Sequence, residues 1–147
     1  MRNSLGSAHA FTHITHDHMQ SHPPRLMILV AGPYRSGTDD DPAKLAANMA
    51  AMEAFAIPIF RAGHVPLVGE WLGLPLAALA GSVRIGDAAF EEVFHPIAER
   101  LLERCDAVLR VGGPSKGADQ LVAAARARGR AVYHSLEEVP GCAASAG

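Results

Sequence analysis

Leu26-Met27-Ile28-Leu29-Val30-Ala31-Gly32-Pro33-Tyr34-Arg35-Ser36-Gly37 is the stretch that decides the fold. Its first six residues form a continuous apolar run, as expected for a short strand buried on both faces. Gly32-Pro33 ends the run, and a polar loop follows through Thr38. Asp41-Pro42 then reads as a helix N-cap with proline at the first helical position. Leu45, Met49, Met52 and Phe55 carry one face of that helix, which Pro58 is expected to end or kink.

The same alternation continues downstream. Val65 to Val68 predicts a second strand, and an apolar segment from Glu70 to Ala80 follows, interrupted by Gly73 and Pro75. Phe90 to Arg104 predicts a helix with Phe94, Ile97, Leu101 and Leu102 on its buried side. Next come a strand from Ala107 to Val111, the loop Gly112-Gly113-Pro114-Ser115-Lys116-Gly117, and a helix from Ala118 to Arg128 stopped by Gly129. Ala131 to His134 is the last short strand, and the chain trails off after Pro140. Strands alternating with helices imply an α/β domain, its parallel sheet of about four to five strands covered on both faces. No internal repeat is present.

Composition agrees with one ordinary domain. The chain has 147 residues, 49% of them hydrophobic and 19% charged, which excludes a wholly disordered chain. Aromatics are only 5%, so the core must be built from Ala, Leu, Val, Ile and Met. Thirteen basic residues against 15 acidic ones give a net charge of −2, and with it no electrostatic reason to expect a duplex nucleic-acid partner. Cys105 and Cys142 are too few for a disulfide framework and read as reduced thiols. The longest uncharged apolar stretch, Leu72 to Val83, is too short to cross a bilayer, and the start of the chain lacks a signal peptide's apolar region. A cytoplasmic protein without a membrane contact is expected.

The first 25 residues differ from the rest. They hold five of the eight histidines, His9, His13, His16, His18 and His22, and end in Pro23-Pro24. They read as a polar tail before a domain spanning 26–139, with a second tail at 140–147. His13, His16 and His18 could gather a zinc or nickel ion, but no cysteine or regular ligand spacing supports a metal site.

Ligands of open α/β sheets collect beyond the carboxyl ends of the strands. Two segments occupy such positions. In the first, Gly32 with Pro33 permits close backbone approach, Tyr34 offers a hydroxyl or a stacking face, and Arg35 can clamp a phosphate or carboxylate. An ordinary βα turn would use the same Gly-Pro; Arg35, with no evident structural task, tips the reading toward function. In the second, the Gly-rich loop opens a helix whose free N–H groups suit an anion, with Ser115 as cap or hydroxyl donor and Lys116 as added charge. It matches neither a Walker A loop nor the dinucleotide fingerprint, and a simple capped turn accounts for it equally well. Asn48 points either to the crevice or to solvent. Glu70, just after the second strand, is a candidate base or ribose ligand, or merely a first-turn acid of a helix. His64 and His95 read as packing or surface histidines.

The run Met27 to Tyr34, with its Ala31-Gly32-Pro33-Tyr34, resembles the opening of the nucleoside 2-deoxyribosyltransferase-like superfamily. Cys105-Asp106-Ala107-Val108-Leu109, followed by Ser115-x-Gly117-Ala118, resembles that family's later strand and Ser-x-Gly helix start. The likeness covers about Leu26 to Val139 and is closest to a small branch related to the 2′-deoxynucleoside 5′-phosphate N-hydrolases. It implies a flavodoxin-like, Rossmann-like doubly wound sheet and a nucleoside or nucleoside monophosphate ligand. The implied chemistry is cleavage or exchange of the N-glycosidic bond through a glutamate nucleophile, without cofactor or metal. Ser115 and Gly117 would then hold the 5′ end.

The departure falls on the nucleophile. The family glutamate corresponds to Leu121, and a second acidic position corresponds to Ala98, with Glu99 adjacent. Asp119 or Glu70 would have to supply the carboxylate, with Tyr34 orienting it, while Gly32, Pro33, Arg35, Asn48, Ser115, Lys116 and Gly117 bind the ligand. The rival expectation is a non-catalytic nucleotide sensor that kept the cleft and lost the nucleophile. A phosphoribohydrolase of the lysine-decarboxylase-like type ranks last, because its Gly-Gly-x-Gly-Thr-x-x-Glu run is absent. The segment from Trp71 to Ala80 has almost no polar face, so a homo-oligomer is expected.

Overall fold

The computed structural model describes residues 24–142; the histidine-rich segment and the last five residues lie outside them. Four parallel strands, β1 (Met27–Ala31), β2 (Val65–Val68), β3 (Ala107–Arg110) and β4 (Ala131–Tyr133), form one sheet in the order β2-β1-β3-β4. The chain leaves β1 to β2 on one side and crosses back from β2, past β1, to β3 on the other, so the strand order reverses beside the carboxyl end of β1. This is the switch point at which a doubly wound, flavodoxin-like sheet opens a crevice.

Strict alternation explains how both faces are covered. Ile28 and Val30 of β1 and Ala107 and Leu109 of β3 point to one core, with Met52 and Ile59 above them. Leu29, Ala31 and Val108 point to the other, against Leu102, Val122 and Ala125. The first core is roofed by α1 (Pro42–Glu53) and α2 (Ala56–Arg61), the second by α4 (Ala88–Arg104) and α5 (Lys116–Ala127). A further helix, α3 (Gly69–Leu79), lies against α4. Asp106 clamps the start of β1: its backbone N–H donates to Met27 O at 2.8 Å and its carboxylate accepts from Met27 N at 2.8 Å.

Helix boundaries follow caps more than prolines. Asp41 and Ser115 cap α1 and α5, accepting from Lys44 N and Ala118 N. The first helix breaks at Ala54–Phe55, ahead of Pro58, which sits in the first turn of α2 where its missing N–H costs nothing. Gly73 and Pro75 do not interrupt α3. Gly73 instead lets α4 approach, since a Cβ there would lie 3.2 Å from Phe94. Asp87, not recognised in the sequence, caps α4 and accepts backbone N–H groups from Phe90, Val83 and Arg84. These bonds, led by that from Phe90, hold its carboxyl at about 2.

Residues 140–142 still pack on the domain. His64 is buried, accepts Leu26 N–H at Nδ1 (3.0 Å) and faces Pro140 O with Nε2 at 2.6 Å, which fixes the tautomer with the proton on Nε2. Of the surface and packing readings open to it in the sequence, the packing one is what the structure has. Both cysteines are free, and burial pushes the Cys105 thiol up to about 11. One helical stretch among the described residues, 42–61, is long and apolar enough by composition to cross a membrane. Here it is the broken α1–α2 layer, whose inner face covers the sheet.

Candidate functional site

A pocket opens at the switch point, between the carboxyl end of β1 and the starts of α3 and α5. Glu70, His95 and Ser115 are its polar side chains, and Phe94, Ala98 and Leu121 its apolar walls. Past Ser115 it gives onto a wider groove bordered by Pro33, Asn48, Gly113 and Lys116. The sheet topology therefore joins the two loops that the sequence singled out.

Among the described residues, Glu70 is the only carboxylate in the pocket lining. It sits in the first turn of α3, where the helix N-terminus and its own N–H favour the charge. Burial against apolar walls outweighs both and raises its pKa from 4.5 to about 7. The Tyr34 hydroxyl is also raised, first by burial and then by the nearby Glu70 charge. The Tyr34 ring packs on Phe94 with centroids 5.6 Å apart, and Phe94 stacks on Phe90 at 4.4 Å. Tyr34, Glu70 and Phe94 thus form one aromatic-lined corner.

The start of α5 supplies the facing wall. Ser115 is buried and its Oγ accepts from Ala118 N at 3.1 Å, while Asp119 N donates to Ser115 O at 3.0 Å. Those bonds leave the N–H groups of Lys116 and Gly117, among the described residues, as the unclaimed donors of the first turn. A Cβ on Gly117 would lie 3.9 Å from His95 Nδ1.

Other expected site residues are occupied elsewhere. Asp119 is exposed and bonded to Arg110 Nε at 3.0 Å, away from the pocket lining. Arg110, unremarked in the sequence, is the organiser of this loop: its guanidinium also donates to Val111 O and, at 2.8 Å, to Gly113 O. Arg35 does have a structural task. It forms a two-pronged bond to Asp40 (2.7 and 2.9 Å) and reaches Glu91 at 3.6 Å. Asp39 and Asp40 adopt left-handed backbone to permit this, and buried Thr38 ties the turn by donating to Arg35 O. Asn48 borders the groove, but its amide is spent on Tyr34 O (2.8 Å) and Ser36 O (3.4 Å). Gly32 lines the pocket and is needed for packing as well, because a Cβ would meet Val111 O at 3.0 Å.

The residue that sequence reading set aside is His95. It lines the pocket and bonds Glu99, one turn on, with Nε2 to Oε1 at 3.0 Å. The spacing of four between His95 and Glu99 was the available signal. Leu121 and Ala98, the two apolar departures from the resembled pattern, both line the pocket. Compared with family models and with curated proteins, the chain finds a match in neither.

Proposed function

We propose that the chain binds a nucleoside or nucleoside 5′-monophosphate in this crevice and cleaves or exchanges its N-glycosidic bond, with Glu70 as the reactive carboxylate. One observation carries the reading: a half-buried carboxyl of raised pKa shares a pocket with the capped, anion-receptive start of α5. The 5′ end would rest on the N–H groups of Lys116 and Gly117, the sugar between them and Glu70, and the base against the Tyr34–Phe94 corner. Ionised Glu70 attacks the anomeric carbon and the base leaves with the bonding pair. Water, or a second base, then displaces the ester. Tyr34 orients the carboxylate.

The test is a chromatographic assay for free base with ribo- and deoxynucleosides and their 5′-monophosphates. Release that Glu70→Gln abolishes and Asp119→Asn spares is the expected result; release that survives Glu70→Gln refutes the assignment.

A second reading, a nucleotide sensor, is favoured by the apolar Leu121 and Ala98 in the pocket wall. It predicts thermal stabilisation by one nucleotide with no base released. The proposal also includes self-association through α3, supported by exposed Trp71, Leu72 and Leu79, and a cytoplasmic location, supported by the two free thiols.

A further inference from the structure

A departing nucleobase needs a proton as well as a carboxylate at the sugar, and on the reading above Glu70 is spent on the sugar. We propose that His95, held by Glu99, is the acid–base group that works opposite Glu70. The inference rests on the glycosidic-bond reading and adds the residue that moves the proton.

The geometry assigns the ring's two nitrogens different tasks. Glu99 Oε1 accepts Nε2–H at 3.0 Å, so Nδ1 is the nitrogen left to exchange a proton with a ligand. Nδ1 lies on the side of Gly117, close enough that a Cβ there would stand 3.9 Å away. Glycine at 117 therefore leaves open the space between the ring and the start of α5, within the pocket that Glu70 also lines. α4 and α3 bring the two groups to adjoining walls because Gly73 lets Phe94, the neighbour of His95, press into α3. Among the described residues, the facing elements bring no other charged side chain into the lining: α3 gives Glu70, and α5 gives Ser115's cap, Gly117, Ala118 and Leu121. A carboxylate and a carboxylate-held imidazole around one cavity divide nucleophile and acid between unlike groups.

Protonated His95 gives its Nδ1 proton to a ring nitrogen or carbonyl oxygen of the base as the C1′–N bond breaks and its electron pair goes to the base. A carboxylate oxygen of Glu70 forms the bond to C1′. Water then attacks C1′, its proton passes to His95 Nδ1, and Glu70 leaves as carboxylate. The sum is nucleotide plus water to sugar phosphate plus base, with both side chains restored. His95 is the catalytic residue and Glu99 a positioning residue.

The experiment compares two leaving groups. The best-cleaved nucleotide of the panel is paired with a derivative whose base needs less protonation to depart, the N7-methyl form for a purine, which leaves neutral, or the 5-fluoro form for a pyrimidine, which leaves as a better-stabilised anion. His95→Gln is expected to lose about 100-fold or more in kcat on the parent nucleotide and less than about tenfold on the derivative, the span general acid catalysis supplies. Glu99→Gln should show a smaller loss with the same preference, a signature that loosened packing would not give. Equal losses on both substrates, or no loss, overturn the role of His95 and leave that of Glu70 standing. No base release by the wild-type chain from either substrate overturns both. The ratio between substrates is read within one variant, so a general loss of stability cannot imitate it.

Discussion

Replacing Glu70 by glutamine should stabilise the protein, by an amount that grows from about pH 4.5 upward and is complete above neutral pH. The carboxyl titrates near 7 in the fold and near 4.5 in an exposed chain. Below pH 4.5 both states keep the proton and Glu70 contributes no pH-dependent term. Between 4.5 and 7 the unfolded chain releases the proton while the folded chain retains it, so unfolding becomes easier as pH rises. Above 7 the folded state carries a charge that its apolar surroundings oppose. The gap between the two values corresponds to at most about 3.5 kcal/mol, at about 1.4 kcal/mol per tenfold. Urea unfolding of wild type and Glu70→Gln at pH 4, 6 and 8.5 would read it. The difference in stability should widen with pH and level off above about 8, with glutamine favoured. A difference that stays constant across the series would refute the reasoning, because it would mean that the folded state does not oppose the charge. On a substrate whose base leaves without a proton, such as an N7-methylpurine nucleotide, the same titration predicts base release that rises through pH 7, the form in which Glu70 attacks being the carboxylate.

Other perturbations probe the scaffold. His64→Ala removes a buried ring and leaves Leu26 N–H and Pro140 O without their partner, so it should cost about 3 kcal/mol by thermal or urea unfolding. Asp119→Asn should change kcat less than about threefold, since the exposed carboxylate binds Arg110 rather than the pocket, and exposed pairs are worth about 1 kcal/mol or less. Trp71→Glu with Leu72→Glu should lower the mass seen by light scattering to that of one chain; a wild type already monomeric would remove the case for self-association. Leu121→Ser should admit water beside Glu70 and move the pH midpoint of base release below 7, toward the ordinary carboxylate range.

The fold was legible where burial writes a pattern. β1 and β3 lie in the middle of the sheet, so both faces are apolar and the strands read as continuous runs. Ser115 was legible as a cap because capping is local, and Glu70 because an acid at a strand's carboxyl end stands out. Arg35 misled for the opposite reason. Its partner Asp40 is brought round by two left-handed aspartates, a conformation that no spacing rule anticipates. His95 was illegible because its neighbours are tertiary: the pocket wall exists only where α4 docks on α3, and the small Gly73 that permits it lies more than twenty residues upstream. The break before Pro58 shows the same limit, since proline is compatible with a helix's first turn and does not itself mark where the preceding helix stops.

Leu121 and Ala98 take on a different meaning once they stand beside Glu70. In the sequence they are two missing carboxylates and weigh against chemistry. In the pocket they are apolar lining shared with Glu70, and burial is the leading cause of its raised pKa. A second carboxylate at position 121 would place two like charges in one small pocket, and one of them would have to remain protonated. Leucine there leaves Glu70 to ionise by itself near neutral pH, in surroundings that oppose its charge. A purely structural acid would gain nothing from such a position, because it would be more stable exposed at the same helix start. The cost that Glu70 imposes on folding from about pH 4.5 upward is thus the physical reason to look for its function in the pocket rather than in the cap.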